Sequence, residues 1–447
     1  MNIIKNQKQE VIEYMENQMM NNNIHVVFPE EIEKLTKRDL FNQECSNRKD
    51  LRHLSTLTID SEHTQDMDDA ISVNKTPDGY KLAVHIADVA NFVQPFSPLF
   101  NEAAKRATSV YLPGVTARML PDILSTDVCS LNPNVDRKAI SVVMELDATA
   151  HIVSYEITKS LIRSRVKGVY DEVNMLLEHK ESKAITDKYN GLHSDLFVMK
   201  ELTEKLLKNR IANGADVQDN SKSDITFDND NVVVTPHKRG ISERIIEEFM
   251  ILANHCVSKY MADNELIAIY RIQRDDEKMA EYKLATEENY INRDNEYKHH
   301  NLAFGNFEYV HFTSPIRRIS DLLNAYILSM NLSGVSNEDI CKVFDEDTML
   351  ELCDNATKKS RMAKQVQATV EKKCYLLYFS WHKFEVFNGK VTGFNTKKEP
   401  IITLDEYNIR IIGQAALKSC MGKNVKMHIN ADVKNNRLYA QNVRVIA

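Results

Sequence analysis

The stretch that most limits what this chain can become is Thr58 to Val73, TIDSEHTQDMDDAISV. Apolar strand signals open and close it, so Asp60, Asp66, Asp68 and Asp69 are held in, or beside, a loop between two buried segments. Two like charges about 4 Å apart repel by roughly 1 kcal/mol in water and about 4 at a near-surface dielectric, so four aspartates in ten residues call for a cation or for protons. All-oxygen donors point to Mg²⁺, with Mn²⁺ as the alternative, ahead of zinc; Mg²⁺ held by a few carboxylates and water usually meets a phosphate. An EF-hand fits poorly, because the run has neither the central Gly nor a Glu at the twelfth position. A solvated acidic turn is the plain alternative.

A second stretch with chemical content is His311-Phe312-Thr313-Ser314-Pro315-Ile316-Arg317-Arg318. Ser314 can cap a helix and Pro315 suits its first position, which puts Arg317 in the first turn. Free N–H groups, the positive dipole end and a guanidinium would together bind an anion. Between the two stretches, Ile245, Phe249, Leu252, Ala253, Cys256 and Tyr260 recur on one helical face, with Ser242 as N-cap and Glu247 and Glu248 flanking the face. Arg163, Arg165 and Lys167 lie just before Tyr170, a mixture of cations and an aromatic that suits a nucleic-acid backbone.

Thr58-Ile59-Asp60 with Asp66-Met67-Asp68-Asp69-Ala70, followed by Val84-His85-Ile86-Ala87-Asp88-Val89, Cys129-Ser130-Leu131-Asn132-Pro133 and the His311–Arg318 run, resembles the ribonuclease II and ribonuclease R family of RNB-type exoribonucleases. The resemblance covers roughly residues 24–447. It implies 3′→5′ hydrolysis of single-stranded RNA, processively, to 5′-mononucleotides. It also implies Asp60, Asp66, Asp68 and Asp69 as metal ligands, with Asp68 and Arg317 catalytic. By the same resemblance Tyr111, Tyr170, Arg317 and Arg318 contact RNA, and one of Glu247 and Glu248 supports the site. His85 alone reads as a satisfied core histidine. The chain departs from the family at Ile319 and Asn324-Ala325, where a Tyr and a His-Arg pair are usual, and in having fewer residues between Arg271 and His311. It is expected to be a short form lacking the N-terminal cold-shock domains.

Composition agrees with a soluble globular protein, 43% hydrophobic and 27% charged, with a net charge of -7. The charge is uneven: Phe384 to Ala447 carries ten Lys/Arg against five Asp/Glu, a basic tail on an acidic body that suggests a polyanion partner. The seven cysteines lack C-x-x-C spacing and read as reduced thiols. No apolar run nears the ~18 residues that span a bilayer, so a cytoplasmic protein without a membrane partner is expected. The expected fold is α+β: an arm and run-in over 1–50, a large mixed RNB-type catalytic domain over 51–382, and an all-β OB-fold barrel over 383–447 that binds RNA. A monomer needing no small-molecule cofactor is expected. The alternatives are a catalytically weak RNA-binding or scaffold protein of the same fold, and a nuclease acting on DNA or small phosphodiesters.

Overall fold

A computed structural model describes residues 6–36, 47–215, 217, 223–273, 280–285 and 309–446. The chain opens with α1 (Gln7–Asn21) and α2 (Glu30–Lys34), and then enters a sheet through β1 (Lys49–Asp50), β2 (Thr56–Asp60), β3 (Asp69–Thr76) and β4 (Gly79–Ala87). After α3 (Pro98–Arg106) and the hairpin β5 (Val110–Leu112) and β6 (Val115–Ala117), the sheet is completed by β7 (Asp136–Asp147) and β8 (Ile152–Val169). Strand order is β1-β8-β2-β3-β4-β7. The long β8 pairs antiparallel with β7 along Ile152–Arg163 and then parallel with β2 along Ser164–Val169, so the sheet curls back on itself. Gly168 permits this switch: a Cβ there would meet the Thr58 carbonyl oxygen at 2.5 Å.

The sheet is covered by α4 (Tyr170–Leu177), α5 (Lys183–Lys188), α6 (His193–Ala212) and, after the hairpin β9 (Ser223–Asp228) and β10 (Asn231–Pro236), by α7 (Ile241–Asp263). Then follow β11 (Ala268–Ile272), β12 (Glu281–Ala285), α8 (Ile319–Leu332), α9 (Asn337–Val343) and the 36-residue α10 (Glu346–Trp381). His85 sits in the core, bonded to Ser72 and Ser141, and burial pushes its pKa down to about 3, which favours the neutral imidazole. Asn324, where the family usually differs, accepts from the Ile269 N–H and donates to the Ile269 and His311 carbonyls, tying α8 to β11.

The carboxy-terminal strands β13 (Phe387–Phe394), β14 (Pro400–Leu404), β15 (Arg410–Ile412), β16 (Asn424–Asp432) and β17 (Arg437–Val445) form a closed five-strand barrel in the order β13-β14-β15-β17-β16. Their alternating inward residues, Val391, Ile402, Leu404, Ile411, Val425, Met427 and Ile429, make its core, and Leu376 and Phe379 from the end of α10 plug one side. The fold is α+β, a mixed helix-and-sheet body followed by an OB-type barrel. The amino-terminal helix packs Val11 and Met15 on Val366 and Val370 of α10, and Lys373 pairs with Glu10 at 2.6 Å, so this side of α10 is covered.

Two helix starts differ from expectation. The α7 start is capped at Gly240, whose N–H donates to the Glu243 carboxylate at 3.0 Å, while the Ser242 hydroxyl turns to the Tyr170 carbonyl. Residues Ser314 to Arg317 form a tight turn, and α8 begins only at Ile319. Long-range partners explain the delay: Arg318 is extended because it bridges Thr108, and the Arg317 carbonyl accepts from the Ser109 N–H. The shortened interval between Arg271 and His311 falls largely outside the described residues, as does Cys45; the six described cysteines are free. Among the described residues no helix is long and apolar enough to cross a membrane.

Candidate active site

Asp60 ends β2 and pairs in register with Val169, so the close approach at Gly168 sets Tyr170, the first residue of α4, beside Asp60. Asp69 begins β3 opposite Ile86. The loop between them is pinned from a distant segment. Ser130 accepts from the Met67 N–H at 3.1 Å and donates to the Gln65 carbonyl at 2.8 Å, while the Leu131 N–H donates to the Met67 carbonyl. Met67 is buried beneath, which forces its neighbours Asp66 and Asp68 to turn the other way, toward a cavity. Ser130 therefore gives the Cys129–Pro133 run a concrete task that spacing alone did not reveal.

The cavity, of about 450 Å³, is lined by Asp60, Asp66, Asp68, Asp69, Tyr111, Tyr170, Arg118 and Arg317 among others. The acidic loop and the Arg317 turn thus meet. Asp68 accepts from the Ile316 N–H at 2.8 Å on Oδ1 and from Arg317 Nε at 2.9 Å on Oδ2. Arg317 is steadied further by its Nη2 contact to the Ser314 hydroxyl at 2.9 Å. Asp321 in turn accepts from the Ser314 N–H and from Arg318, which locks the turn's shape.

The four carboxylates divide by what neutralises them. Asp66 accepts from the Tyr111 hydroxyl at 2.6 Å and faces Arg118 at 3.2 Å, and Asp68 is held by Arg317. Asp60 and Asp69 take no hydrogen bond from a described residue. Burial, then the charge of Asp69, pushes the Asp60 carboxyl well above the usual range. Burial pushes Asp69 to about 6, against the pull of Arg317 and Arg318, and Asp68 to about 7, against the pull of Arg317. Tyr111 and Tyr170 are pushed upward by burial and then by adjacent carboxylates, so both keep their hydroxyl protons.

This all-oxygen donor set, with two carboxylates lacking protein donors, fits a hard divalent cation. Among the described residues no three acidic, Cys or His side chains already close around one point, so the set is an open acidic cluster rather than a finished cage.

Not every expected residue arrives. Arg318 is turned to Asp321 at 2.7 Å and is not part of the cavity wall. Glu248 is buried against Arg210 at 2.5 Å, and Glu247 pairs with Arg239, so neither reaches the aspartates. The partner of Glu248 lies on α6, invisible to the periodicity of α7. Of the basic run before Tyr170, Arg163 pairs with Asp136 and Lys167 donates to the Glu62 carbonyl.

The RNB domain profile matches residues 48–288, more than half of the chain, and the chain belongs to that family. It is 32% identical over 437 residues to Ribonuclease R of Thermotoga maritima, a match covering 86% of this chain and 60% of that one. Its fold is similar to the apo form of Mycoplasma genitalium RNase R, with a TM-score of 0.79 at 20% identity over 97% of this chain and 78% of that one. The same Mycoplasma protein in complex with ribose methylated single-stranded RNA gives a TM-score of 0.78 at 20% identity, over 96% and 78%. The chain spans about 60% of the length of the Thermotoga relative.

Proposed function

We propose that this protein is an exoribonuclease that hydrolyses single-stranded RNA in the 3′→5′ direction, processively, releasing 5′-mononucleotides by metal-assisted phosphodiester hydrolysis. The observation that carries the reading is the double engagement of Asp68 by the Ile316 N–H and Arg317 on the wall of the aspartate cavity. Asp60, Asp66 and Asp69 hold Mg²⁺ or Mn²⁺. A metal held there would supply Lewis acidity toward a water and toward the departing oxygen.

Asp68 would position and deprotonate the attacking water, or share in holding the metal. Each of its oxygens keeps a second lone pair after the Ile316 and Arg317 donors are satisfied. Arg317, fixed at Nε and Nη2, meets the phosphate charge that grows during attack. Tyr111 is 37% exposed at the cavity rim, with its hydroxyl tethered to Asp66, so a ring face is available for the terminal base. Tyr170 lines the same cavity from the start of α4. The basic barrel, as an RNA-binding module of residues 383–447, and the catalytic body of 51–382 behind its 1–50 run-in, complete the arrangement. RNA reaching the Mycoplasma relative lends the substrate class support.

Incubation of the full chain with 5′-labelled single-stranded RNA or matched DNA, with Mg²⁺ and with EDTA, tests the reading. Conversion of RNA only from full length to a short 5′-labelled end product with few intermediates, abolished by EDTA, is expected. Internal cuts, equal cleavage of DNA, or activity in EDTA would contradict it.

A further inference from the structure

We propose that Arg118 is a positioning residue for the reaction, acting through Asp66, and that the amino-terminal arm seats it. The inference rests on the nuclease reading of the cavity. Arg118 directly follows β6 and lies in the cavity wall with its side chain 13% exposed. Its Nη1 is 3.2 Å from Asp66 Oδ2, its Nη2 donates to Gln65 Oε1 at 3.3 Å, and its Nε is 2.9 Å from Asp122 Oδ1.

The Tyr111 hydroxyl donates to the same Asp66 oxygen, Oδ2, at 2.6 Å. One hydrogen bond, from Tyr111, and one ion pair, with Arg118, meet on that oxygen and hold the carboxylate plane, while Oδ1 takes no hydrogen bond from a described residue. Asp66 is thus pinned from one side only, unlike Asp68, whose two oxygens are both engaged, and unlike Asp60 and Asp69, which take no hydrogen bond from a described residue. A carboxylate held by outer partners in this way presents its free oxygen to a cation in a set orientation. The Asp122 contact cannot do the same work, since that carboxylate is 83% exposed and screened by solvent.

What seats Arg118 is Arg106, at the end of α3. Its Nη1 donates to the Arg118 carbonyl at 3.1 Å and to the His25 carbonyl at 2.7 Å, and its Nη2 donates to the Val27 carbonyl at 2.9 Å. The guanidinium lies 3.6 Å over the Phe28 ring, and Glu102 fixes Nε at 2.8 Å. Residues 25–28 of the arm therefore reach Asp66 through two arginines. The arm forms part of the catalytic support as well as a cover for α10.

The test uses the full chain with Arg118→Met and Arg118→Lys, reading steady-state RNA hydrolysis and, without RNA, Mn²⁺ binding by electron paramagnetic resonance. Loss of an outer partner of a metal ligand typically costs about 10- to 100-fold. Arg118→Met is expected to lower kcat and weaken Mn²⁺ binding in that range, with KM within about threefold, and Arg118→Lys to recover most of both. Because Tyr111 and Arg118 share one oxygen, Tyr111→Phe combined with Arg118→Met should fall well short of the product of the two single effects. Asp122→Ala, which removes the exposed contact, should leave kcat within twofold. Mn²⁺ binding equal in Arg118→Met and wild type, or absent in wild type, overturns the inference, as do multiplicative effects. A wild type that binds Mn²⁺ but leaves RNA intact overturns the nuclease reading instead, and the Mn²⁺ comparison still decides the role of Arg118.

Discussion

Arg317 donates from Nε to Asp68 Oδ2 at 2.9 Å across 249 residues of chain, and it does so on the wall of a cavity that holds three more aspartates. The pair links two segments that neither strand periodicity nor helix patterning connects. Asp68 is almost fully buried while the Arg317 side chain is 42% exposed, so the carboxylate depends on the guanidinium more than the reverse.

Removing Arg317 should therefore harm stability as well as turnover. Breaking a fully buried pair costs about 3–5 kcal/mol; with one partner this exposed, Arg317→Met should cost roughly 1–3 in urea unfolding. Adding Asp68→Asn to it should restore part of that loss. A double variant less stable than Arg317→Met would show that the pair is not the source.

Tyr111 has two separable tasks, a ring at the rim and a hydroxyl on Asp66. Tyr111→Ala should lengthen or blur the final oligomer on a sequencing gel, because a stacked base is worth about 1–3 kcal/mol. Tyr111→Phe should keep the product ladder and lower the rate. Identical ladders for wild type and Tyr111→Ala would remove the stacking role.

Glu248 should prove structural. It is buried against Arg210, so Glu248→Ala removes a buried charge-assisted hydrogen bond and should cost about 1.5–3 kcal/mol in thermal or urea unfolding. Below the new melting temperature, kcat should remain within about twofold. A large fall in kcat with an unchanged melting curve would instead place Glu248 in the catalytic support.

Much of this architecture is legible in the chain, for physical reasons that also mark where legibility stops. The barrel strands announce themselves because inward and outward residues alternate, as from Val425 to Ile429, and turns such as Asn435-Asn436 separate them. The aspartate loop is legible because its charges are crowded within one short run. Ser314 misleads: local propensity favours a cap, but its N–H goes to Asp321 and the Ile316 N–H goes to Asp68. Arg118 and Ser130 carry no local signal, since each gains its meaning only when a remote segment folds against the loop.

The metal-free protein should have an inverted acid response. Folding raises the carboxyls of Asp60, Asp68 and Asp69 above the unfolded value of about 3.9, with Asp69 at about 6 and Asp68 at about 7. A carboxyl raised on folding binds more protons in the native state, so its contribution is present below the unfolded value and is lost as pH rises toward 7. In EDTA the melting temperature should fall between pH 5 and 8, and Asp60→Asn should flatten the fall. Mg²⁺, which binds the deprotonated cluster, should stabilise more at pH 8 than at pH 5. A rising melting temperature in EDTA, unchanged by Asp60→Asn, would contradict these shifts.

The most direct measurement of the catalytic reading is Asp68→Asn, which keeps the shape and one of the two acceptor oxygens but removes the charge. Binding of single-stranded RNA, followed by fluorescence anisotropy, should stay within about threefold of wild type, while single-turnover hydrolysis should fall by about 10²–10⁴-fold. Hydrolysis at the wild-type rate would show that the Asp68–Arg317 cavity is not where RNA is cut.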